Sequence, residues 1–159
     1  MKKLLKGLGI FIGIISLVNA VIGVLFAKKA KTLGEDHEKA ITFGEEKLDM
    51  SEYGPSLDLG IMFAGVMIDY RECEKMDEPY ELFLYNRFSG VEIIVPEGWY
   101  VESKGKLTMA GVENFTATYE DQNADVILRF DTALSGVSIK NEQYTVEETV
   151  EETVEETEE

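Results

Sequence analysis

The chain has 159 residues and a formal charge of −16, from 31 acidic and 15 basic side chains. Residues 51–140 hold sixteen of the carboxylates against seven of the bases, and so acidic a surface repels a phosphate backbone, which excludes nucleic acid as a partner. The length allows one domain with appendages, and a lone cysteine, Cys73, excludes an internal disulfide.

Residues 1–6, MKKLLK, form a basic flank, and residues 7–27, GLGIFIGIISLVNAVIGVLFA, carry no charge. As a helix this stretch spans about 31 Å, the hydrocarbon thickness of a bilayer, and predicts one transmembrane helix of a single-pass cell-membrane protein. A cleaved signal peptide is the rival reading, since Val18 and Ala20 suit the positions before a cut. The apolar run continues seven residues past Ala20, however, which favours retention in the lipid bilayer. Lysines flank both ends, so the charge bias barely orients the helix. The difficulty of moving a short, triply charged N-terminus across the bilayer places the domain on the extracytoplasmic side. Gly9, Gly13 and Asn19 are features that support helix pairing in membranes.

Residues 28–53 read as a polar juxtamembrane spacer. Its histidine, His37, stands among Glu35, Asp36 and Glu38, a solvated charged segment rather than a metal site, because a spacer supplies no further ligands.

Residues 54–141 carry an internal repeat. FAGVMI, FSGVEI, MAGVEN and LSGVSI place Gly65, Gly90, Gly111 and Gly136 at separations of 25, 21 and 25 residues. In three units aliphatic or aromatic residues precede the word at matched offsets: Leu57 and Leu59, Leu82 and Leu84, Leu128 and Phe130. After each glycine an alternation of period two begins, so each unit is two short strands hinged at a small residue and a glycine. A fixed period with strand alternation predicts an all-β domain, a short single β-solenoid of about four rungs. An antiparallel β-sandwich is the alternative. In the solenoid reading Gly65, Gly90, Gly111 and Gly136 occupy stacked corners, where glycine permits unusual backbone angles or close approach. Phe63, Phe88, Met109 and Leu134, with Val66, Val91, Val112 and Val137, then fill the interior. The third unit departs from the pattern: Ser103 and Gly105 replace its upstream aliphatics and Asn114 a downstream one. Pro96 marks a strand end, and Trp99 reads as a lid over the core. Residues 142–159, with their Glu-Glu-Thr-Val repeat, read as an acidic, low-complexity, disordered tail.

The words FAGVMIDYR at 63–71, FSGVEIIVPEGWYV at 88–101 and AGVEN at 110–114 resemble the C-terminal domain of LiaF-like proteins, the cell wall-active antibiotics response family. The resemblance covers residues 57–140 and departs in two ways. Ala or Ser stands where the family has the first of two glycines, and the chain has one expected membrane helix where full-length members have several. It implies a β-solenoid-like domain tethered to the bacterial envelope, and a partner such as the membrane histidine kinase that senses envelope damage.

No pairing of nucleophile with base, and no facing carboxylates, can be picked out of the sequence, so it is read as a non-enzymatic interaction or regulatory module with no catalytic residue, metal or cofactor. Self-association as an envelope scaffold, through open solenoid ends, is the second reading.

Overall fold

A computed structural model of the chain describes residues 23–25, 27–116 and 123–142. The expected membrane helix at 7–27 lies almost wholly outside these residues, as does the tail from residue 143. Among the described residues no helix is long and apolar enough to cross a membrane.

The domain is mostly β. After a helix over residues 27–36 (α1) come β1 (Lys39–Asp49), a 3-10 turn at Met50–Glu52, β2 (Ser56–Asp69), β3 (Tyr80–Arg87), β4 (Gly90–Val95), β5 (Val101–Thr108), β6 (Gly111–Asn114), β7 (Val126–Ala133) and β8 (Gly136–Asn141). Every strand pairing is parallel, which sets the antiparallel sandwich aside. The strands form two ladders joined at a corner, and each rung contributes one half to each ladder. Residues Leu57, Leu59 and Ile61 turn inward before the corner, and Val66 and Ile68 after it. Stacking such rungs buries what one rung leaves exposed.

The described residues form five rungs where the sequence suggests about four. β1 runs beside β2 from Lys39↔Leu59 to Asp49↔Asp69, bending at Phe43 and Gly44 as β2 bends at Phe63 and Ala64. Residues 28–53 are therefore no spacer. α1 and the first rung occupy them, and Ile41, Leu48 and Met50 are buried in the core. His37 is likewise not a solvated residue: its Nδ1 lies 2.7 Å from Asp58 Oδ1 and its ring packs on Tyr85.

The order of the rungs differs from the order of the chain. β3 and β4 are followed in the stack by β7 and β8, and only then by β5 and β6. The unit 126–141 thus inserts between its two predecessors, and the irregular unit 101–114 closes the stack. This placement accounts for its composition, since an end rung has one neighbour instead of two. Most of β5 is exposed, and Ser103, Gly105 and Asn114 stand where the adjacent internal rung carries Leu128, Phe130 and Ile139. Trp99 is buried against Tyr80, with ring centroids 5.8 Å apart.

Candidate interaction surface

The corner bends at the bulky residue, not at the glycine. Phe43, Phe63, Phe88, Met109 and Leu134 have φ of 68°, 56°, 53°, 51° and 52°. The left-handed region disfavours L-residues by about 1–2 kcal/mol each. Gly65, Gly90, Gly111 and Gly136 are absent from the positive-φ positions, so the expectation that glycine supplies the unusual angle is corrected.

The same bend corrects the expected core. Strict alternation from Leu57 through Leu59 and Ile61 aims position 63 inward, but a left-handed residue interrupts the alternation and turns its side chain out. Phe88 is 49% exposed, Leu134 44% and Met109 81%, while Phe63 is half-buried between its neighbours. Val66, Val91 and Val137 are buried as expected, and Val112, on the end rung, packs half-buried against the core.

The bulky residues form a continuous apolar ridge. Phe43 stacks on Phe63 at 5.6 Å and Phe63 on Phe88 at 4.9 Å, with planes within 9° and 7°. Such contacts, worth about 0.5–1.5 kcal/mol each, offset part of the backbone strain. Beneath the ridge, seryl hydroxyls carry hydrogen bonds from rung to rung. The Ala64 N–H donates to Ser89 Oγ, whose own hydroxyl donates to the Arg87 carbonyl. The Ser89 N–H donates to Ser135 Oγ, whose hydroxyl donates to the Ala133 carbonyl. The small residue before each glycine is therefore there to fit the tight inner corner and, as Ser, to complete the ladder.

Gly65, Gly90, Gly136 and Gly111 lie in register on neighbouring rungs. A Cβ at Gly90, Gly111 or Gly136 would meet nothing within 4 Å, so neither backbone angle nor crowding requires glycine there. The consequence is a channel with a bare backbone floor beside an outward column holding Lys47, Met67, Glu92 and Glu113, while Phe63, Phe88 and Leu134 border a second, shallower hollow over Gly65, Gly90 and Gly136. The channel is a groove of about 840 Å³.

A second feature joins α1 to the stack. Leu33 is buried over Gly60, and a Cβ on Gly60 would lie 2.6 Å from His37 Cδ2 and 2.8 Å from Leu33 Cδ1. Gly60 is thus the seat of α1. The change Gly60→Val is expected to undock α1 while leaving the strands paired. Hydrogen exchange at residues 27–38 checks this: protection should fall there and hold in β2 and β3. Leu33, Gly60 and Phe43 escaped the sequence reading. The FG pair at Phe43 was the available signal for the first rung.

Among the described residues Asp69 is a buried carboxylate held between two cations. Arg71 donates to it through Nε at 2.9 Å and Nη2 at 2.6 Å, and Lys47 Nζ lies 2.9 Å away. Chiefly the Arg71 hydrogen bonds hold its carboxyl well below the usual carboxylate range, against the opposing effect of burial. A depressed folded-state value means that this stability is present at neutral pH. It is lost as pH falls below the unfolded Asp value of about 3.9. Asp69→Asn is expected to remove about 1–2 kcal/mol at pH 7 and to weaken the acid dependence of stability below about pH 4. Urea unfolding at pH 7 and pH 3 measures both.

Chemistry at Cys73 is unfavourable. Burial, then the charge of Asp49, pushes its thiol up to about 11, so it stays protonated near neutral pH and is a poor nucleophile. Among the described residues no three His, Cys, Asp or Glu side chains converge as a metal site requires. The surface that the repeat builds is the ridge, carried by all five described rungs, with a groove that is bare on four of them. Comparison with known proteins finds no matching family model, curated protein or solved structure.

Proposed function

We propose that the chain is a membrane-anchored, non-enzymatic β-solenoid module of the bacterial cell envelope. Its ridge and groove bind a membrane protein, of which a histidine kinase sensing envelope stress is the example that the resemblance to LiaF-like domains suggests. The anchor is the apolar segment 7–27, and the domain lies on the extracytoplasmic side. One observation carries the reading. Each of the five rungs among the described residues places a large apolar side chain outward at a strained backbone position, and four of the five carry a bare glycine two residues on. Exposing apolar side chains in line is costly in water, and a contiguous exposed apolar patch of this kind marks an interaction site. The docking of α1 over Gly60 supports the regulatory part of the reading, because it gives the membrane segment a fixed mechanical connection to the strands.

The experiment is photo-crosslinking in native membranes, with a benzophenone amino acid in place of Phe63 or Phe88. Phe83, exposed on the other ladder, serves as control. The reading expects one discrete membrane protein captured at 63 and 88, absent at 83, and lost when Gly90→Trp fills the groove. Equal capture at all three positions, or capture of lipid alone, would overturn it.

A further inference from the structure

The closing rung suggests a second copy as partner, through the end of the stack rather than along the face that carries the ridge. Leu107 is 48% exposed although its register neighbour Thr132 is fully buried. Among the described residues β5 pairs only with β7 and β6 only with β8, so beyond Val101, which the Thr116 and Asn114 side chains cap, no described strand lies on the outer edge of either. Open parallel edges with exposed apolar side chains recruit further strands. The rung also differs in charge from the rest of the domain. Glu102 and Glu113 balance Lys104 and Lys106, so this end lacks the acidic excess that would repel another copy.

We propose that two copies join through these ends about a two-fold axis running through the corner between Met109 and Ala110, perpendicular to the stack. Such an axis exchanges the two halves of the rung, laying β5 of one copy antiparallel to β6 of the other. Residues equidistant from the corner then face each other: Leu107 meets the second copy's Val112, and Lys106 meets its Glu113. Leu107 and Val112 occupy inward columns of the two ladders, so the match extends the core across the junction. Lys106 and Glu113 occupy outward columns and are exposed, which gives two cross-strand ion pairs by symmetry. A two-fold contact uses the same patch on both partners and closes on itself. The result is a dimer of ten rungs, not a filament.

The test is the mass of the full chain in detergent micelles, measured by sedimentation over a hundredfold concentration range with the detergent contribution subtracted. The wild type is expected to reach a dimer and stop. Lys106→Glu or Glu113→Lys alone is expected to raise the dissociation constant about tenfold, because two symmetric pairs turn from attraction to repulsion. The double variant K106E/E113K restores dimerisation. Both side chains are exposed, and an unchanged circular dichroism spectrum shows that each variant folds. A wild type that stays monomeric, a mass that rises without limit, or a double variant no better than the singles would each overturn the proposal. Capture of a membrane protein at Phe88 is a separate observable and stands or falls on its own.

Discussion

Replacing Gly105 by alanine is expected to detach the closing rung and lower the stability of the domain by about 3 kcal/mol. A Cβ there would lie 1.9 Å from the Phe130 carbonyl oxygen, 2.7 Å from its carbonyl carbon and 2.7 Å from its ring. The ring could rotate, but the carbonyl belongs to the backbone of β7 and cannot. β5 must then move off β7, its partner over the full length of the strand. Gly90→Ala makes the control, because its Cβ enters open space; it should change stability by less than about 0.5 kcal/mol. Urea unfolding gives the magnitude, and hydrogen exchange gives the place. Protection should vanish over Val101–Thr108 and persist in β2 and β3. Equal behaviour of the two variants would contradict the close approach of β5 to β7.

The second large effect has the opposite sign. Asn86 and Thr132 are register neighbours, both 0% exposed, and among the described residues neither the Asn86 amide nor the Thr132 hydroxyl has a hydrogen-bond partner. They interrupt an inward column that reads Ile41, Ile61, Asn86, Thr132 and Leu107 from the first rung to the last. A buried polar group without a partner costs about 1–3 kcal/mol. The double replacement N86L/T132V is therefore expected to stabilise the fold by about 2–4 kcal/mol, with Thr→Val nearly isosteric and Leu filling the column. Thermal unfolding of the wild type, both singles and the double measures it. A double variant less stable than the wild type would show that the polar pair is satisfied in the native state. One physical rationale for keeping such a pair is order: polar groups on adjacent rungs are best placed beside each other, which favours β7 next to β3.

Much of the architecture is legible in the chain. The four glycines fall in register as their spacing requires, and the buried columns at Val66, Val91 and Val137 follow from period-two alternation. Three features were not, each for a definable reason. The first rung hides behind charge: Glu45 and Glu46 stand where other rungs have Gly and Val, and an end rung tolerates this because one side of it faces solvent. The direction of the ridge is hidden because apolar character points to burial, whereas the left-handed backbone at these positions turns the side chain outward. The parity itself holds the answer: inward residues switch parity across the corner, odd to even from Leu57, Leu59 and Ile61 to Val66 and Ile68, even to odd from Leu82 and Leu84 to Val91 and Ile93, so one residue between must break the alternation. That residue takes the left-handed angle, and it is the bulky one. The order of rungs is the least legible, because a parallel ladder makes equivalent contacts with any similar neighbour. Only the poor columns of the unit 101–114 marked it as terminal. The candidate surface was correspondingly half visible. Its glycines were identified with the wrong physical role, and its ridge was assigned to the core.

The non-sequential stacking order underlies the interaction surface and the open end alike, and it is tested by paired cysteines in a Cys73→Ser background. Thr108 and Ala133 are register partners, as are Arg87 and Ala133, whereas Arg87 and Thr108 are two rungs apart. One rung spacing of about 4.8 Å allows a disulfide, and two rungs, about 9.6 Å, do not. Under mild oxidation the pairs T108C/A133C and R87C/A133C are predicted to close and R87C/T108C to stay reduced. Rapid closure of R87C/T108C, with R87C/A133C left open, would mean that the rungs stack in chain order and would contradict the account.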